Sequence, residues 1–186
     1  MNSKDLSFTK EWTLFLDRDG VISNRLPDDY VTLWEDFRFL DGVLEALAIF
    51  EKVFGRIIIV SNQQGVGKGL MSPEALDMID LKMKQAIRDA GGRIDASYYC
   101  THLESENHPD RKPGTGMGLK AKADFPEIDF LRSVMVGDSP SDMEFGKRLG
   151  MITVMIVENG IEPESGSACL YFRSLRDFAI SLRNFE

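Results

Sequence analysis

The segment WTLFLDRDG, residues 12–20, decides how the rest of the chain is read. Trp12 to Leu16 is a short apolar run of strand-forming residues that stops abruptly at Asp17-Arg18-Asp19-Gly20. The same design recurs downstream. Arg56 to Val60 is a β-branched run ending at Ser61, Ile94 to Cys100 alternates and is aromatic-rich, Ser133 to Val136 ends at Gly137-Asp138, and Met151 to Val157 reads as a further strand. Helical patterns fall between these runs, the first over 42–53. A longer one has Ser72 as N-cap and Pro73 in its first turn, carries Leu76, Ile79, Met83 and Ile87 at helical spacing, and stops at Gly91-Gly92. Shorter helices are expected at 116–124 and 140–149, and an amphipathic one at 174–184. Strands alternating with helices in this way predict an α/β fold: a Rossmann-like parallel sheet with helices on both faces. Ligands of such sheets bind at the carboxyl ends of the strands. Asp17, Ser61 and Asp138 all fall there.

The 186 residues suit a single domain spanning 1–186, with no internal repeat or linker-like shift in composition. With 43% hydrophobic and 28% charged residues, the chain has the balance of a folded, soluble protein. Its 30 acidic residues outnumber 22 basic ones, and the net charge of -8 argues against a nucleic-acid partner, whose phosphates call for a basic surface. An anionic ligand would therefore need a local basic site. Cys100 and Cys169 are too few and too far apart for a disulfide framework. The start, MNSKDLSFTKE, lacks the apolar core of a signal peptide, and no apolar run approaches the roughly 20 residues of a membrane helix. A cytoplasmic monomer without membrane or nucleic-acid partners is the expectation.

Four segments carry the chemistry. Asp17 and Asp19, two apart at a strand end, favour a bound cation or unequal protonation, because one negative charge disfavours its neighbour. A calcium loop is excluded, since Val21 occupies the fifth position and a strand precedes the motif; a structural Asp-Gly turn is the plainer alternative. SNQQGVGKG, residues 61–69, is neither a Walker loop, which needs Gly at 62 and Ser or Thr at 69, nor a dinucleotide fingerprint, which needs Gly at 70. What remains is the Ser61 hydroxyl, Asn62 and a flexible loop able to offer N–H groups to an anion. Arg111-Lys112 is the candidate local positive charge, though basic pairs in loops are commonly solvated. Asp138 follows a strand, and Asp142 sits where a helix begins, where it would favour the helix dipole. An acidic cluster of Asp17, Asp19 and Asp138 is costly unless it holds a metal, and an all-oxygen site suggests magnesium.

Taken in this order, Asp-x-Asp-Gly, Ser, Lys and Gly-Asp-x-x-x-Asp resemble the haloacid dehalogenase-like phosphatases over residues 12–157. Within them, FLDRDGVISN, SNQQGVGKG, RKPGTGM and VGDSPSDM are similar to the D-glycero-D-manno-heptose 1,7-bisphosphate phosphatases and the related histidinol-phosphate phosphatases. The resemblance implies a magnesium-dependent phosphomonoester hydrolase acting on a small phosphorylated sugar. Asp17 would be the nucleophile, forming an aspartyl-phosphate, and Asp19 the acid and then base. Asp17, the Asp19 main-chain carbonyl and Asp138 would ligate magnesium. Ser61 and Lys112 would hold phosphoryl oxygens, Asn62 and Arg111 would contact substrate, and Asp142 would orient the set. Removal of the C7 phosphate of the heptose bisphosphate is the expected reaction, with histidinol phosphate as alternative substrate. A polynucleotide 3'-phosphatase is disfavoured by the net charge. A signalling receiver domain is disfavoured because receivers place adjacent acids at the first strand end.

Spacing bears on recognition. Asp17 and Ser61 are 44 positions apart, and Ser61 and Lys112 are 51 apart, so neither interval has room for a cap domain. Substrate would then meet short loops at 20–36 and 101–112. The second loop departs from the resemblance, in which Cys-x-His and a later Cys-x-Cys bind structural zinc. Here Cys100 and His102 persist while His108 and Asp110 replace the second pair. All four are admissible zinc ligands, but the set is unusual for a structural site, and a loop that has lost its metal is the alternative.

Overall fold

The computed structural model describes residues 7–25, 30–157 and 166–182. Its six strands, β1 (Thr13–Leu16), β2 (Arg56–Asn62), β3 (Ala96–Cys100), β4 (Ser133–Gly137), β5 (Ile152–Ile156) and β6 (Leu170–Phe172), are all parallel and lie in the order β3-β2-β1-β4-β5-β6. The chain builds outward from β1 to β3, then returns across β1 to start β4 and builds outward in the other direction. That reversal opens a crevice at the carboxyl ends of β1 and β4, the place where open α/β sheets bind ligands.

The described residues hold six helices: α1 (Val43–Val53), α2 (Gln64–Gly67), α3 (Pro73–Asp89), α4 (Gly116–Asp124), α5 (Pro140–Leu149) and α6 (Leu175–Leu182). Successive strand residues point to opposite faces, and both faces are apolar. Leu14, Leu16, Ile57, Ile59, Val134 and Val136 pack in one core cluster with Phe50 of α1, Ile79 and Met83 of α3 and Phe178 of α6. Phe15, Ile58, Val60 and Met135 pack in the other with Met117 and Ala121 of α4 and Phe145 of α5. The expected two-sided cover is thus present. Ser72 caps α3 by accepting from the Ala75 N–H at 3.1 Å. Between Asp17 and Ser61 lie a short 3₁₀ turn at Trp34–Asp36 and α1; between Ser61 and Lys112 lie α2, α3, β3 and another 3₁₀ turn at Glu104–Glu106. The described residues hold no cap in either interval.

Three local readings change. Ser61 and Asn62 belong to β2, because β3 continues to pair with them after β1 has ended. The loop expected after Asn62 contains a turn of helix, α2, closed by Lys68 N–H donating to Gln64 O at 2.9 Å. Strand β6 was absent from the pattern because three residues are too few to show a period. The last helix ends at Leu182, and residues 183–184 of the expected segment lie outside the described residues.

Phe50, Phe54 and Phe178 meet edge-on or tilted at 5.4–5.7 Å, and all three are buried. Phe50→Ala should cost about 3–5 kcal/mol of stability in a urea titration. Leu131→Ala, at a position 73% exposed, should stay within about 0.5 kcal/mol. Comparable losses from the two would contradict this core.

Candidate active site

Lys112 occupies the centre of the crevice. Its side chain is 1% exposed, and Nζ lies 3.1 Å from Asp17 Oδ1 and 2.5 Å from Asp142 Oδ1 while donating to Val60 O at 2.8 Å. Burial works against its charge, yet Asp142 and Asp17 outweigh that and hold its pKa above the ordinary lysine value. The lysine expected to be a loop cation is therefore an internal counterion. Asn62 fixes it there: the amide oxygen accepts from Lys112 N–H at 3.0 Å and the amide nitrogen donates to Lys112 O at 3.1 Å.

Asp17 follows β1 directly, its N–H donating to Val136 O at 2.9 Å so that the β1–β4 pairing extends to the site. Burial pushes its pKa up to about 7, with Lys112 pulling down and Asp142 pushing up. Asp138 follows β4, and its pKa is raised by burial and by Asp142. Gly20 makes room for it: at φ +87°, a Cβ on residue 20 would lie 2.1 Å from Asp138 Oδ2. Asp142 stands at the third position of α5 and accepts from Ser139 N–H at 3.1 Å and Ser139 Oγ at 2.6 Å, a capping box.

Asp17, Asp138 and Asp142 each bring a carboxylate oxygen within 4.8 Å of the other two, and among the described residues no other group of three potential ligands is as close. The donor set fits a hard divalent cation. Asp142 is already held by Lys112 and Ser139, whereas Asp138 Oδ1 is buried with no hydrogen-bond partner. Asp17 and Asp138 line the cavity while Asp142 is fully buried, so those two face an ion bound there, and a cation would offset the burial and the Asp142 charge that raise both pKa values.

Asp19 points into a different network. Arg18, expected only as the residue between two acids, is 1% exposed and grips Asp19 with Nε at 2.9 Å and Nη2 at 3.0 Å. Gln63, also missed, donates to Asp19 Oδ2 at 2.7 Å and accepts from Arg18 Nη2 at 2.8 Å. Burial pushes the Asp19 pKa up, but Arg18, Gln63 and Ser23 together hold it below the usual carboxylate range. A charge placed immediately after a strand buried on both faces was the signal for Arg18.

Above these groups opens a cavity of about 450 Å³ lined by Asp17, Asp19, Ser61, Arg111 and Asp138 among others. Ser61 is 2% exposed, and its hydroxyl is bonded to Asp17 and accepts from Gln63 Nε2 at 3.2 Å. Arg111 has a side chain 15% exposed, with Nη1 buried and unpartnered and Nη2 3.8 Å from Glu104. Arg25 and Tyr30, from the 20–36 loop expected to meet substrate, and Lys68, from the SNQQGVGKG segment, also line it, with Lys68 Nζ donating to Tyr30 Oη at 3.0 Å. The second loop contributes only Arg111 and Lys112 to this lining.

Cys100, His102, His108 and Asp110 contact one another in sequence order, His108 Nδ1 accepting from the Asp110 N–H at 3.2 Å and lying 3.6 Å from its Oδ2. Cys100 is buried, with the His102 N–H bonded to its sulfur, and burial pushes its thiol pKa up. His102 Nδ1 is 2.6 Å from Glu106, the two imidazoles stack at 3.7 Å, and Asp110 pairs with Lys120.

Comparison with known proteins agrees with this geometry. The HAD-hydrolase-like family model matches residues 110–168, which include Lys112, Asp138 and Asp142. A D-glycero-alpha-D-manno-heptose-1,7-bisphosphate 7-phosphatase of Mycobacterium tuberculosis is 36% identical over 174 residues, 92% of each chain. The D-glycero-beta-D-manno-heptose-1,7-bisphosphate 7-phosphatase of Vibrio cholerae is also 36% identical, over 88% of this chain and 92% of its own. Among solved structures, the D,D-heptose 1,7-bisphosphate phosphatase of B. bronchiseptica, complexed with magnesium and phosphate, superposes with a TM-score of 0.82 at 25% identity, covering 94% of this chain and 99% of that one. Identity of this level over nearly the whole length, on a fold that places the two aspartates of β1 and β4 side by side, makes the chain a member of the heptose-1,7-bisphosphate 7-phosphatase family of HAD-like hydrolases.

Proposed function

We propose that this chain hydrolyses the C7 phosphate of D-glycero-D-manno-heptose 1,7-bisphosphate through an aspartyl-phosphate on Asp17. The observation that carries this reading is the buried Asp17, whose Oδ1 lies 3.1 Å from the Lys112 ammonium at the floor of a cavity rimmed by cations. A phosphate monoester is an anion, and a carboxylate can approach its phosphorus only where positive charge offsets the repulsion. Lys112 supplies one such charge. A magnesium ion on Asp17, Asp138 and the Asp19 carbonyl would supply more by drawing charge from the phosphoryl oxygens. Ser61 donates to a phosphoryl oxygen. Attack by Asp17 forms the carboxylate oxygen–phosphorus bond as the ester bond breaks, and the leaving oxygen takes a proton from Asp19, which must first take it up from solvent because Arg18, Gln63 and Ser23 hold it ionised in the unliganded site. In the second half, Asp19 takes a proton from the water that attacks phosphorus, and Asp17 is released with inorganic phosphate.

Asn62 acts by fixing Lys112, and Asp142 by holding its ammonium and capping α5. Arg111, which lines the cavity and has one unpartnered guanidinium nitrogen, binds the sugar bisphosphate. The small anionic substrate supports a cytoplasmic enzyme, and the net charge of -8 disfavours a nucleic-acid partner.

Asp17→Asn is near-isosteric and should abolish turnover while leaving the thermal melt within a few degrees of wild type; substantial remaining phosphatase activity removes the nucleophile assignment. Asp142→Ala leaves a buried ammonium with one partner fewer and should lower both kcat, by tenfold or more, and stability, by about 3–5 kcal/mol. Unchanged urea midpoints would show that the triad carries no such energy. Initial rates with both anomers of the heptose bisphosphate beside histidinol phosphate should favour the heptose; a preference for histidinol phosphate overturns the substrate.

A further inference from the structure

The carboxylate of Asp19 is saturated. Oδ1 accepts from Arg18 Nε at 2.9 Å and Ser23 Oγ at 3.0 Å, while Oδ2 accepts from Arg18 Nη2 at 3.0 Å and Gln63 Nε2 at 2.7 Å. A carboxylate offers about four lone-pair sites, two on each oxygen. All four are filled by protein donors. To face an ester oxygen or a water, Asp19 must give up at least one of them.

The donors are themselves tied together. Arg18 Nη2 donates to Gln63 Oε1 at 2.8 Å, so Arg18, Asp19 and Gln63 close a ring of hydrogen bonds. Gln63 Nε2 is shared between Asp19 and, at 3.2 Å, the hydroxyl of Ser61. Arg18 and Gln63 are 1% and 2% exposed and, unlike the equally buried Ser61 and Lys112, do not line the cavity, so neither is placed as a substrate contact. Arg18 Nη1 is buried and unpartnered, and the guanidinium lies 5.9 Å from the Tyr99 ring. A buried, bidentate arginine of this kind fixes orientation as well as charge, which a lysine cannot do.

We propose that Arg18 and Gln63 are positioning residues for the proton-transfer step: they clamp the Asp19 carboxylate in one orientation, and the Gln63 amide, shared with Ser61, is the donor released when a phosphoryl group engages that hydroxyl. The inference rests on the phosphatase reading. In the first half-reaction the O–H bond of protonated Asp19 breaks and the proton passes to the leaving oxygen as the P–O bond breaks. In the second, Asp19 regains a proton from the attacking water. A misaligned Asp19 therefore hurts a sugar phosphate, whose alkoxide needs that proton, far more than p-nitrophenyl phosphate, whose phenolate leaves unprotonated. With the aryl ester only the second half-reaction should suffer.

The test is pre-steady-state and steady-state kinetics of Arg18→Lys and Gln63→Met on both esters with magnesium present. Arg18→Lys keeps the charge without the fork, and Gln63→Met removes the amide without stranding a charge; thermal melts establish that each variant is folded. The expected result for the heptose bisphosphate is a tenfold or greater fall in kcat with KM within threefold. For p-nitrophenyl phosphate, the first turnover should stay within threefold and be followed by a slower steady state, giving a burst of p-nitrophenolate near one equivalent per enzyme. Equal losses of the first-turnover rate on the two esters, a rise in KM alone, or wild-type kinetics in both variants would overturn the clamp. Active Asp17→Asn would instead overturn the phosphatase reading beneath it, so the two failures are distinguishable.

Discussion

A single ammonium, that of Lys112, is the constraint on which the site depends. It is buried beneath the crevice, shared by Asp17 and Asp142 and fixed by the carbonyl of Val60. Removing three charged groups from water costs several kcal/mol each, and mutual attraction offsets this only where geometry is close and remaining polar atoms are satisfied. Here β1 delivers Asp17, the start of α5 delivers Asp142, and the end of β2 delivers both the Val60 carbonyl and the Asn62 amide that grips the Lys112 backbone. The charges hold together elements distant in sequence. They also leave two carboxylates to one ammonium, a local excess of negative charge beside Asp138, whose Oδ2 pairs with Arg25 while Oδ1 has no partner.

That excess links architecture to chemistry. The reversal of strand order puts β1 next to β4, so the residues just past them, Asp17 and Asp138, must be neighbours. Gly20 and Gly137 permit the close approach: a Cβ at 137 would lie 2.2 Å from that of Asp142. Two acids so placed are a liability in an empty protein and a ligand pair in one that binds magnesium. Asp19, two residues beyond Asp17, is kept out of this competition by its own arginine. The Asp-x-Asp motif thus separates two carboxylates into two electrostatic environments, one buried and crowded by acids and one clamped by a cation.

The sheet, its strand-end aspartates and the bounds of α4 and α5 were legible because buried parallel strands read as apolar runs and because Pro, Gly and capping residues mark helix ends. The partners of those residues were not. Nothing in the spacing says that Asn62 grips the Lys112 backbone, that Arg18 turns inward, or that Gln63 joins Asp19 to Ser61, since each contact depends on where β2 ends relative to β1 and β3. Tyr30 and Lys68 meet across 38 positions of sequence for the same reason. At the Cys100 loop the sequence posed a question of ligand chemistry, and the fold brings His102 and His108 into a stack while Asp110 pairs with Lys120.

The central claim is that Asp17 carries the phosphoryl group. Acid-quenching the enzyme during steady-state turnover of heptose 1,7-bisphosphate, followed by peptide mass mapping, tests it most directly. The account predicts one phosphoryl group, on the peptide containing Asp17 and assigned by fragmentation to that residue. A phosphoryl group on any other side chain would contradict it.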